Sequence, residues 1–352
     1  MTSNQEAFDI VRIDSDDIPL LNRFYQAHFQ DKPKLNNLDL WRWEFLDNPL
    51  CQAGAQFFVI RSAGAINGAI GGIRTQIQVG QQTYPSCHPV DFFVAPDYKG
   101  FPALRLFRKI LEDVPVFYAS YVSADAAKLF EKAGFLNLDN DLRMYHYMLK
   151  PKSVGLSLFG YVRTLGVFGA RQLLRIGFWL YATLRGLDRY RYRVVDQLSE
   201  ELVPPFDAAR FPNRIGLIKD FSYLAWRYGK SPALKCKYFA QRKNGVPNCL
   251  VVVHEKAADG CAVIMDIVRG SDDLMDVSST LLKVIAHYSA RDYHMIAAVG
   301  LNKQLDQLLK KLAFGSQPSN YRFMFYAKDK ELKSQLNDPD RWDFNLGDTD
   351  VY

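Results

Sequence analysis

The stretch from residue 90 to residue 113, VDFFVAPDYKGFPALRLFRKILED, decides how the rest of the 352-residue chain is interpreted. Its apolar start is typical of a buried strand, which Pro96 ends. A turn over residues 97–100 follows, and from Ala103 onward apolar residues recur at helical spacing, with basic residues on the other face. A strand, a glycine-containing turn and a basic helix bring backbone N–H groups and the positive end of a helix to one place. Such an arrangement binds phosphate.

One motif lies inside this stretch. It reads V-x-P-x-Y-[RK]-G and consists of Val94, Pro96, Tyr98, Lys99 and Gly100. It resembles the acyl-coenzyme A-binding segment of the GCN5-related N-acetyltransferase (GNAT) superfamily. The resemblance implies that the turn wraps the pyrophosphate of an acyl-CoA co-substrate such as acetyl-CoA. By this resemblance, the binding residues are expected to be Val94, Lys99, Gly100, Phe101 and Ala103.

The chain also departs from the family pattern. Pro102 and Leu104 stand where the family has small residues. Proline has no N–H to donate, and a leucine side chain impedes close approach of a phosphate to the backbone. Downstream, SADAAKLFEKAGF over residues 123–135 resembles the second GNAT signature, but Phe130 occupies the place of a tyrosine that can protonate the leaving thiolate. A phenyl ring cannot supply that proton.

Acetylation of an amine requires a general base, which is a carboxylate, a histidine or a water relay. His88 and Asp91 lie at the start of the central strand and are the candidates for this role, although a surface turn and a capped strand end are the alternatives. Tyr121, on the next strand, is a candidate for proton transfer, although strand tyrosines also serve as core residues. The histidines and cysteines have no metal-ligand spacing, so no metal site is predicted.

Composition bounds the class of protein. Apolar residues make up 48% and aromatic residues 14% of the chain, which indicates a globular protein. The five cysteines are scattered and contain no C-x-x-C pair, so a reducing, cytoplasmic location is expected. The polar, acidic N-terminus does not resemble a secretory signal, and no run reaches the ~18 apolar residues needed to span a bilayer.

The second half of the sequence repeats the first. Trp43 and its neighbours are echoed at Trp226, 183 positions later, and residues 129–135 are echoed at 308–314, 179 positions later. Arg143 and Arg322 align at the same offset of 179. This order and spacing predict a duplication. The expected fold is α+β, with two GNAT-like domains, each a mixed, mainly antiparallel twisted sheet flanked by helices.

The predicted domains are residues 1–150, a basic apolar helical linker over 151–195, and residues 196–352. The second domain is expected to be degenerate, because Asp272 and Asp273 at its helix start cap the helix but repel a pyrophosphate. The segment 150–193 contains nine Lys or Arg residues against one acid, so it alone exceeds the chain's net charge of +6. Residues 154–193 are expected to pack between the domains or to lie on an anionic membrane surface at the inner face of the membrane. No nucleic acid partner is predicted.

Three functional hypotheses remain open. The leading one is an acyl-CoA-dependent N-acyltransferase whose acceptor is a small amine. The tail, RWDFNLGDTDVY, resembles that of tandem-GNAT proteins associated with bacterial polysaccharide synthesis, which implies an amino sugar or an amino acid as acceptor. The alternatives are an inactive GNAT-fold binding or scaffold protein, and an acyltransferase whose donor is acyl-carrier protein, an acidic partner that the basic segment would attract.

Overall fold

The computed structural model describes residues 8–14, 17–28, 37–51, 54–138, 142–150, 169 and 190–350. The helices in these ranges are α1 (Ile18–His28), α2 (Leu38–Phe45), α3 (Phe101–Ile110), α4 (Ala124–Lys132), α5 (Phe221–Leu224), α6 (Leu274–Ser289), α7 (Lys303–Lys311) and α8 (Lys330–Leu336). The strands of the first half are β1 (Asp9–Arg12), β2 (Phe57–Ser62), β3 (Ala65–Val79), β4 (Gln82–Val94), β5 (Val116–Val122), β6 (Leu136–Leu138) and β7 (Arg143–Met148). Those of the second half are β8 (Tyr190–Val195), β9 (Ile215–Leu217), β10 (Cys236–Lys243), β11 (Val246–Lys256), β12 (Cys261–Arg269), β13 (Met295–Leu301), β14 (Gly315–Pro318), β15 (Arg322–Ala327) and β16 (Trp342–Asn345).

Two sheets of matching order form the molecule. The first runs β1-β2-β3-β4-β5-β15-β6, and the second runs β8-β10-β11-β12-β13-β7-β14. In each sheet one central pair of strands is parallel, β4–β5 in the first and β12–β13 in the second. All other neighbouring strands in these two orders pair antiparallel. The mixed, mainly antiparallel architecture predicted from the sequence is therefore confirmed, and the matching order is that of a duplicated unit.

The two sheets exchange a strand. β7 belongs to the first half of the chain but pairs with β13 and β14 in the second sheet. Its counterpart β15 pairs with β5 and β6 in the first sheet. Arg143 and Arg322, which align in the sequence, begin the two exchanged strands. The closing strand of each unit is thus supplied by the other unit.

A pair of tryptophans lies where the two halves meet. The rings of Trp43 and Trp226 stack at 5.3 Å between centroids. Trp43 Nε1 donates to the Trp226 carbonyl and Trp226 Nε1 donates to the Trp43 carbonyl, each at 2.8 Å. Such reciprocal contacts are those of an isologous, two-fold interface. The sequence echo between these residues is therefore a physical contact.

Two further strands join the two sheets into one continuous sheet of 16 described strands. β9 pairs with the far end of β3, and β16 pairs with β9 and with the end of β13. The largest buried apolar cluster includes residues of both halves, Trp43 and Trp342 among them. Two smaller clusters lie beneath α3 and α4 in the first half and beneath α6 and α7 in the second. The halves therefore share one core as well as two strands.

The predicted linker lies largely outside the described residues, which include only Gly169 between residues 151 and 189. Residues 190–195, assigned to the linker from the sequence, form β8 and pair with β10. Across the described ranges, no helix is long and apolar enough to cross a membrane. The domain boundaries stay a prediction.

Candidate active site

The candidate site is a fork between β4 and β5. The two parallel strands pair only at Ser86–Val116 and Cys87–Phe117. Beyond these residues β4 continues along β3, whereas β5 continues along β15. The strands therefore separate and leave a cleft at their carboxyl ends, which is where ligands bind in sheets with parallel strands.

His88 occupies the base of this fork. Its Nδ1 donates to the Tyr118 carbonyl at 3.0 Å, and its ring stacks on that of Tyr118 at 5.1 Å. The carbonyl can only accept, so Nδ1 carries the proton and Nε2 carries the lone pair in the neutral ring. Nε2 lies 3.6 Å from a carboxylate oxygen of Asp350, and the side chain is 2% exposed. His88 thus bridges the strands where their ladder ends.

Asp91 forms a bulge in β4. Its φ is +51°, and Asp91 and Phe92 together stand opposite the single residue Ile70 of β3. A residue in the left-handed region bends the strand and increases its local twist. The Asp91 carbonyl accepts a hydrogen bond from Tyr25 Oη at 2.9 Å, which fixes the bulge against α1. The candidate base therefore lies at the point where β4 turns away from β5.

Val94 ends β4 with its N–H directed into the fork. The N–H of the next residue, Ala95, donates to the Asn67 carbonyl at the start of β3, at 2.8 Å. Successive N–H groups of an extended strand point to opposite edges, so the Val94 N–H faces the edge that β5 has left. A donor in this position can stabilise the oxyanion of a tetrahedral intermediate.

α3 begins at Phe101, seven residues after β4 ends at the open end, or mouth, of the fork. Gly100 is its N-cap, with φ +85° and ψ −119°, a conformation that suits glycine. The first turn of a helix has N–H groups without intrahelical acceptors, so Phe101 and Ala103 each present a donor, whereas Pro102 presents none. Lys99 is exposed beside them, and the Phe101 ring is 60% exposed. The turn therefore offers two amide donors and one cation to an anion.

The helical spacing from Ala103 predicts that Leu104 lies on the buried face of α3, and this is wrong. The buried face consists of Ala103, Leu106, Phe107 and Ile110, with Pro102 beside them, whereas Leu104 is only half-buried. Arg105 and Arg108 are exposed. The helix thus presents its cations to solvent.

Two aromatic residues near the fork differ in what they can contribute. Tyr121 has φ +59°, and burial together with the neighbouring Tyr321 raises its pKa to about 12, so its hydroxyl stays protonated near neutral pH. Its ring lies 5.0 Å from that of Tyr321. Phe130 is buried between Phe107 and Phe135, at 4.7 and 4.9 Å. Phe130 is therefore part of the core beneath the sheet.

The equivalent fork of the second half is filled by the chain's own tail. β12 and β13 pair in parallel only from Cys261 to Ile264 on β12, and β16 then pairs with the end of β13. Gly347 follows β16, and a Cβ there would lie 2.8 Å from Asp266 Oδ2 and 3.0 Å from the Met265 carbonyl. Arg227 Nε donates to the Gly347 carbonyl at 3.0 Å, which holds the tail in the fork.

A buried ion cluster also holds this tail. Lys219 contacts Asp266 on β12 and Asp348 in the tail, the latter at 2.7 Å, and all three are almost fully buried. Burial and the neighbouring Asp266 raise the pKa of Asp348 to about 6, against the opposing effect of Lys219. Tyr228 donates a hydrogen bond to Asp266. Asp266 lies five residues beyond the first parallel pair of β12, as Asp91 does in β4, but it is locked in this cluster.

Other chemistries find little support among the described residues. No group of three or more His, Cys, Asp or Glu side chains there could hold a metal ion. All five cysteines are free, and burial raises the pKa of each thiol. A raised pKa disfavours the nucleophilic thiolate.

The fold resembles solved structures, although the sequence itself has no match among known families. No protein-family model matches the chain, and no curated protein matches its sequence. A GCN5-related N-acetyltransferase from Anabaena variabilis ATCC 29413 matches in structure with TM-score 0.57 and 13% identity, over 92% of this chain and 73% of that one. The fold is that of a GCN5-related N-acetyltransferase.

Two further solved structures agree. A GCN5-related N-acetyltransferase from Kribbella flavida matches with TM-score 0.56 and 16% identity, over 91% of this chain and 72% of that one. A conserved protein of unknown function from Enterococcus faecalis V583, described as a probable N-acyltransferase, matches with TM-score 0.57 and 11% identity, over 92% and 73% of the two chains. At these identities the likeness establishes the GNAT fold alone.

β4, the turn and α3 were predictable from the sequence, but three contacts of the fork were not. Tyr25 fixes the bulge, the Tyr118 carbonyl holds His88, and Asp350 faces the His88 ring. Asp350 is 262 positions from His88 in the sequence, and no local pattern connects them. Only the tertiary fold brings them together.

Proposed function

We propose that the protein is an acyl-CoA-dependent N-acyltransferase whose active site is the β4–β5 fork of the first half. The observation that carries this proposal is the hydrogen bond from Ala95 N–H to the Asn67 carbonyl, because it directs the Val94 N–H to the fork edge of β4, six residues before Gly100, the N-cap of α3. The Phe101 and Ala103 N–H groups and the Lys99 ammonium would hold the pyrophosphate at the mouth. The acyl thioester would then lie inside, with its carbonyl oxygen on the Val94 N–H.

The reaction follows from this placement. A neutral amine attacks the thioester carbon, the oxyanion forms on the Val94 N–H, and collapse of the tetrahedral intermediate breaks the C–S bond. Coenzyme A leaves as a thiolate, and the amine nitrogen loses a proton to the general base. A thiol with a pKa of about 8.5 leaves readily as its anion, so a general acid at position 130 is not required. Tyr121, with its higher pKa, would donate a hydrogen bond to this sulfur rather than its proton.

Asp91 is the better placed of the two candidate bases. It lies at the bulge where the fork opens, whereas the His88 Nε2 is buried against Asp350. An amine would reach Nε2 only after Asp350 had moved. We therefore assign the base to Asp91 and a structural role at the strand junction to His88.

The acceptor is proposed to be a small amine. The tail resembles that of tandem-GNAT proteins associated with bacterial polysaccharide synthesis. This resemblance implies that the amine is an amino sugar or an amino acid used in envelope or polysaccharide synthesis. The second half would contribute structure, because the tail fills its fork and Asp266 is engaged by Lys219. The proposal therefore gives the molecule one acyl-CoA site.

The test is the thermal stability of the wild type, Lys99→Glu and Lys230→Glu with and without acetyl-CoA. Both lysines are exposed, but only Lys99 lies beside the start of α3. At about 100 times its dissociation constant a ligand stabilises the folded state by about 2.7 kcal/mol. We expect this gain in the wild type and in Lys230→Glu, and a loss of affinity of about tenfold or more in Lys99→Glu. No gain in the wild type at millimolar acetyl-CoA would refute the proposal.

A second candidate keeps acyl transfer but takes the acyl group from a carrier protein. The exposed cations Arg105 and Arg108 on α3 favour it, because an acidic carrier would dock beside the mouth of the fork. Activity that saturates with acyl-carrier protein, but not with acyl-CoA, would select this candidate. An absence of activity with either donor would favour a binding or scaffold protein.

A further inference from the structure

A cavity of about 200 Å³ opens beside the end of β12 in the second half. It lies between the end of β12, the first turn of α7 and the segment that precedes β16. We call it the arginine pocket. Its lining includes Arg214, Arg269, Asp272, Gln304, Asp340 and Arg341. The tail fills the inner part of the fork, so this pocket is a separate space nearer to solvent.

Two arginines form the inner wall of the arginine pocket. The side chains of Arg214 and Arg269 are each only 9% exposed. Both are directed to the same oxygen of Asp343, with Arg214 Nε at 3.1 Å and an Arg269 terminal nitrogen at 2.7 Å. One buried carboxylate is therefore the ion-pair partner of two buried guanidinium groups. Burying a charge without a matching partner is costly, so this wall favours an additional anion.

Arg214 is the best-placed donor. Its buried Nε has no acceptor in hydrogen-bonding geometry among the described residues, although a carboxylate oxygen of Asp343 lies 3.1 Å away, and the side chain, more than nine-tenths buried, lines the cavity. Five N–H donors of a guanidinium form a rigid fork that matches the oxygens of a carboxylate or phosphate. Buried donors of this kind are nearly always satisfied by a partner.

Arg341 and Gln304 complete the donor set. Arg341 Nε donates to the Asn213 carbonyl at 2.9 Å, and its terminal nitrogens have no acceptor within the described ranges. Gln304 is exposed at the first turn of α7, where a helix end favours negative charge. Two acids of the lining lie toward solvent: Asp272, 65% exposed, is 3.9 Å from a terminal nitrogen of Arg269, and Asp340, 55% exposed, contacts Lys303 at 3.0 Å. The guanidinium groups of Arg214 and Arg269 therefore lie deeper than these two acids.

We propose that the arginine pocket binds a small oxyanion, namely the carboxylate or phosphate group of a small molecule. Its volume is several times the ~30 Å³ share of one water in the liquid, enough for such a group and a short attached chain. Arg214 and Arg341 hold the oxygens, and Gln304 contributes its amide. The site is independent of the acyl-CoA site proposed for the first half.

The experiment titrates inorganic phosphate and, separately, succinate into the full-length protein by calorimetry. We compare the wild type with Arg341→Gln, Gln304→Glu and the control Arg193→Gln. Arg193 is a surface arginine on the edge strand β8 that pairs with Glu201 at 2.9 Å. We expect saturable binding of at least one anion to the wild type and the control. Affinity should fall at least tenfold in Arg341→Gln, and binding should be lost in Gln304→Glu, which places a carboxylate in the pocket without altering the core.

The preferred probe identifies the group, because phosphate binding without succinate binding indicates a phosphorylated ligand and the reverse indicates a carboxylate. Failure of both anions to bind at millimolar concentration would overturn the proposal. Equal affinity in the wild type and both pocket variants would overturn it as well. Displacement of the bound anion by acetyl-CoA would also do so, since the pocket would then be a second coenzyme site. Acetyl-CoA binding unchanged in Arg341→Gln would support two independent sites.

Discussion

Asp91 shows how the backbone of a single residue shapes a site. A left-handed φ is unfavourable for most residues but is tolerated by Asp and Asn, whose short side chains hydrogen-bond locally. From the sequence, Asp91 is a candidate because the central strand was predicted to begin beside it; that start is wrong, since β4 begins at Gln82 and Asp91 lies near its carboxyl end. The sequence could not predict the bulge, because a bulge depends on how β4 pairs with β3 across the sheet. The residue was predictable, whereas its conformation was not.

The carboxylate of Asp91 can be tested without disturbing this backbone. Asn tolerates the same φ and has nearly the same size, so Asp91→Asn should leave the melting temperature within about a degree. If Asp91 is the base, kcat should fall by about 10²- to 10⁴-fold. Steady-state kinetics with acetyl-CoA and an amine acceptor measure this, with Asp97→Asn in the exposed turn as the control. Retention of full activity by Asp91→Asn would exclude Asp91 as the base.

At the scale of elements, the sequence predicts strands and helices better than their partners. Alternating and helical apolar patterns gave the strand, turn and helix of residues 90–113, because those patterns are local. The residues of β7 were also expected to form a strand, but its partners are β13 and β14. An apolar strand packs equally well into either of two similar sheets, so its periodicity does not identify its neighbours. The position of the tail in the fork between β12 and β13 cannot be predicted for the same reason, because the pattern of its residues does not identify the strands that it contacts.

The contact between the tail and β12 gives a prediction that depends on pH. Lys219 is the cation between Asp266 and Asp348, so Lys219→Met leaves two buried carboxylates and should destabilise the fold by about 3–5 kcal/mol.

The folded-state pKa of Asp348, about 6, is above its ordinary 3.8, so the folded protein binds this proton more tightly than the unfolded chain. The associated stability is present at low pH and is lost as the pH rises through about 6.

The loss in Lys219→Met should therefore be larger at pH 8 than at pH 5, where protonation relieves the repulsion. Urea unfolding at the two pH values measures the difference, and Lys230→Met, a change of an exposed lysine, serves as the control. An identical loss at both pH values would mean that Asp348 does not titrate in this range.

At the scale of the whole molecule, the sequence revealed the duplication but not its consequence. The echoes at Trp43 and Trp226 were read as equivalent positions in two units. In the structure these tryptophans form hydrogen bonds with one another. Each unit also contributes one strand to the sheet of the other unit. Equivalence is visible in a sequence, whereas contact between equivalent positions is set by the packing of the two copies.

This exchange predicts that the halves fold only together. A protease site inserted within residues 151–189 would allow the folded chain to be cut after purification. The two fragments should co-elute in gel filtration and unfold in one transition, because β7 and β15 remain paired across the cut. Residues 1–150 produced alone should lack a cooperative transition. Separation of the cut fragments into two folded species would show that the exchange is not needed for folding.

The exchange also imposes a delay on biosynthesis. When β7 leaves the ribosome, the strand that fills the gap between β5 and β6 is still about 180 residues away, or roughly 10–35 s at 5–20 residues per second. During that time the nascent first half carries two open β-edges, which are templates for pairing with other chains. Co-translational protection by chaperones should therefore matter more for this protein than for a protein whose sheet closes in chain order.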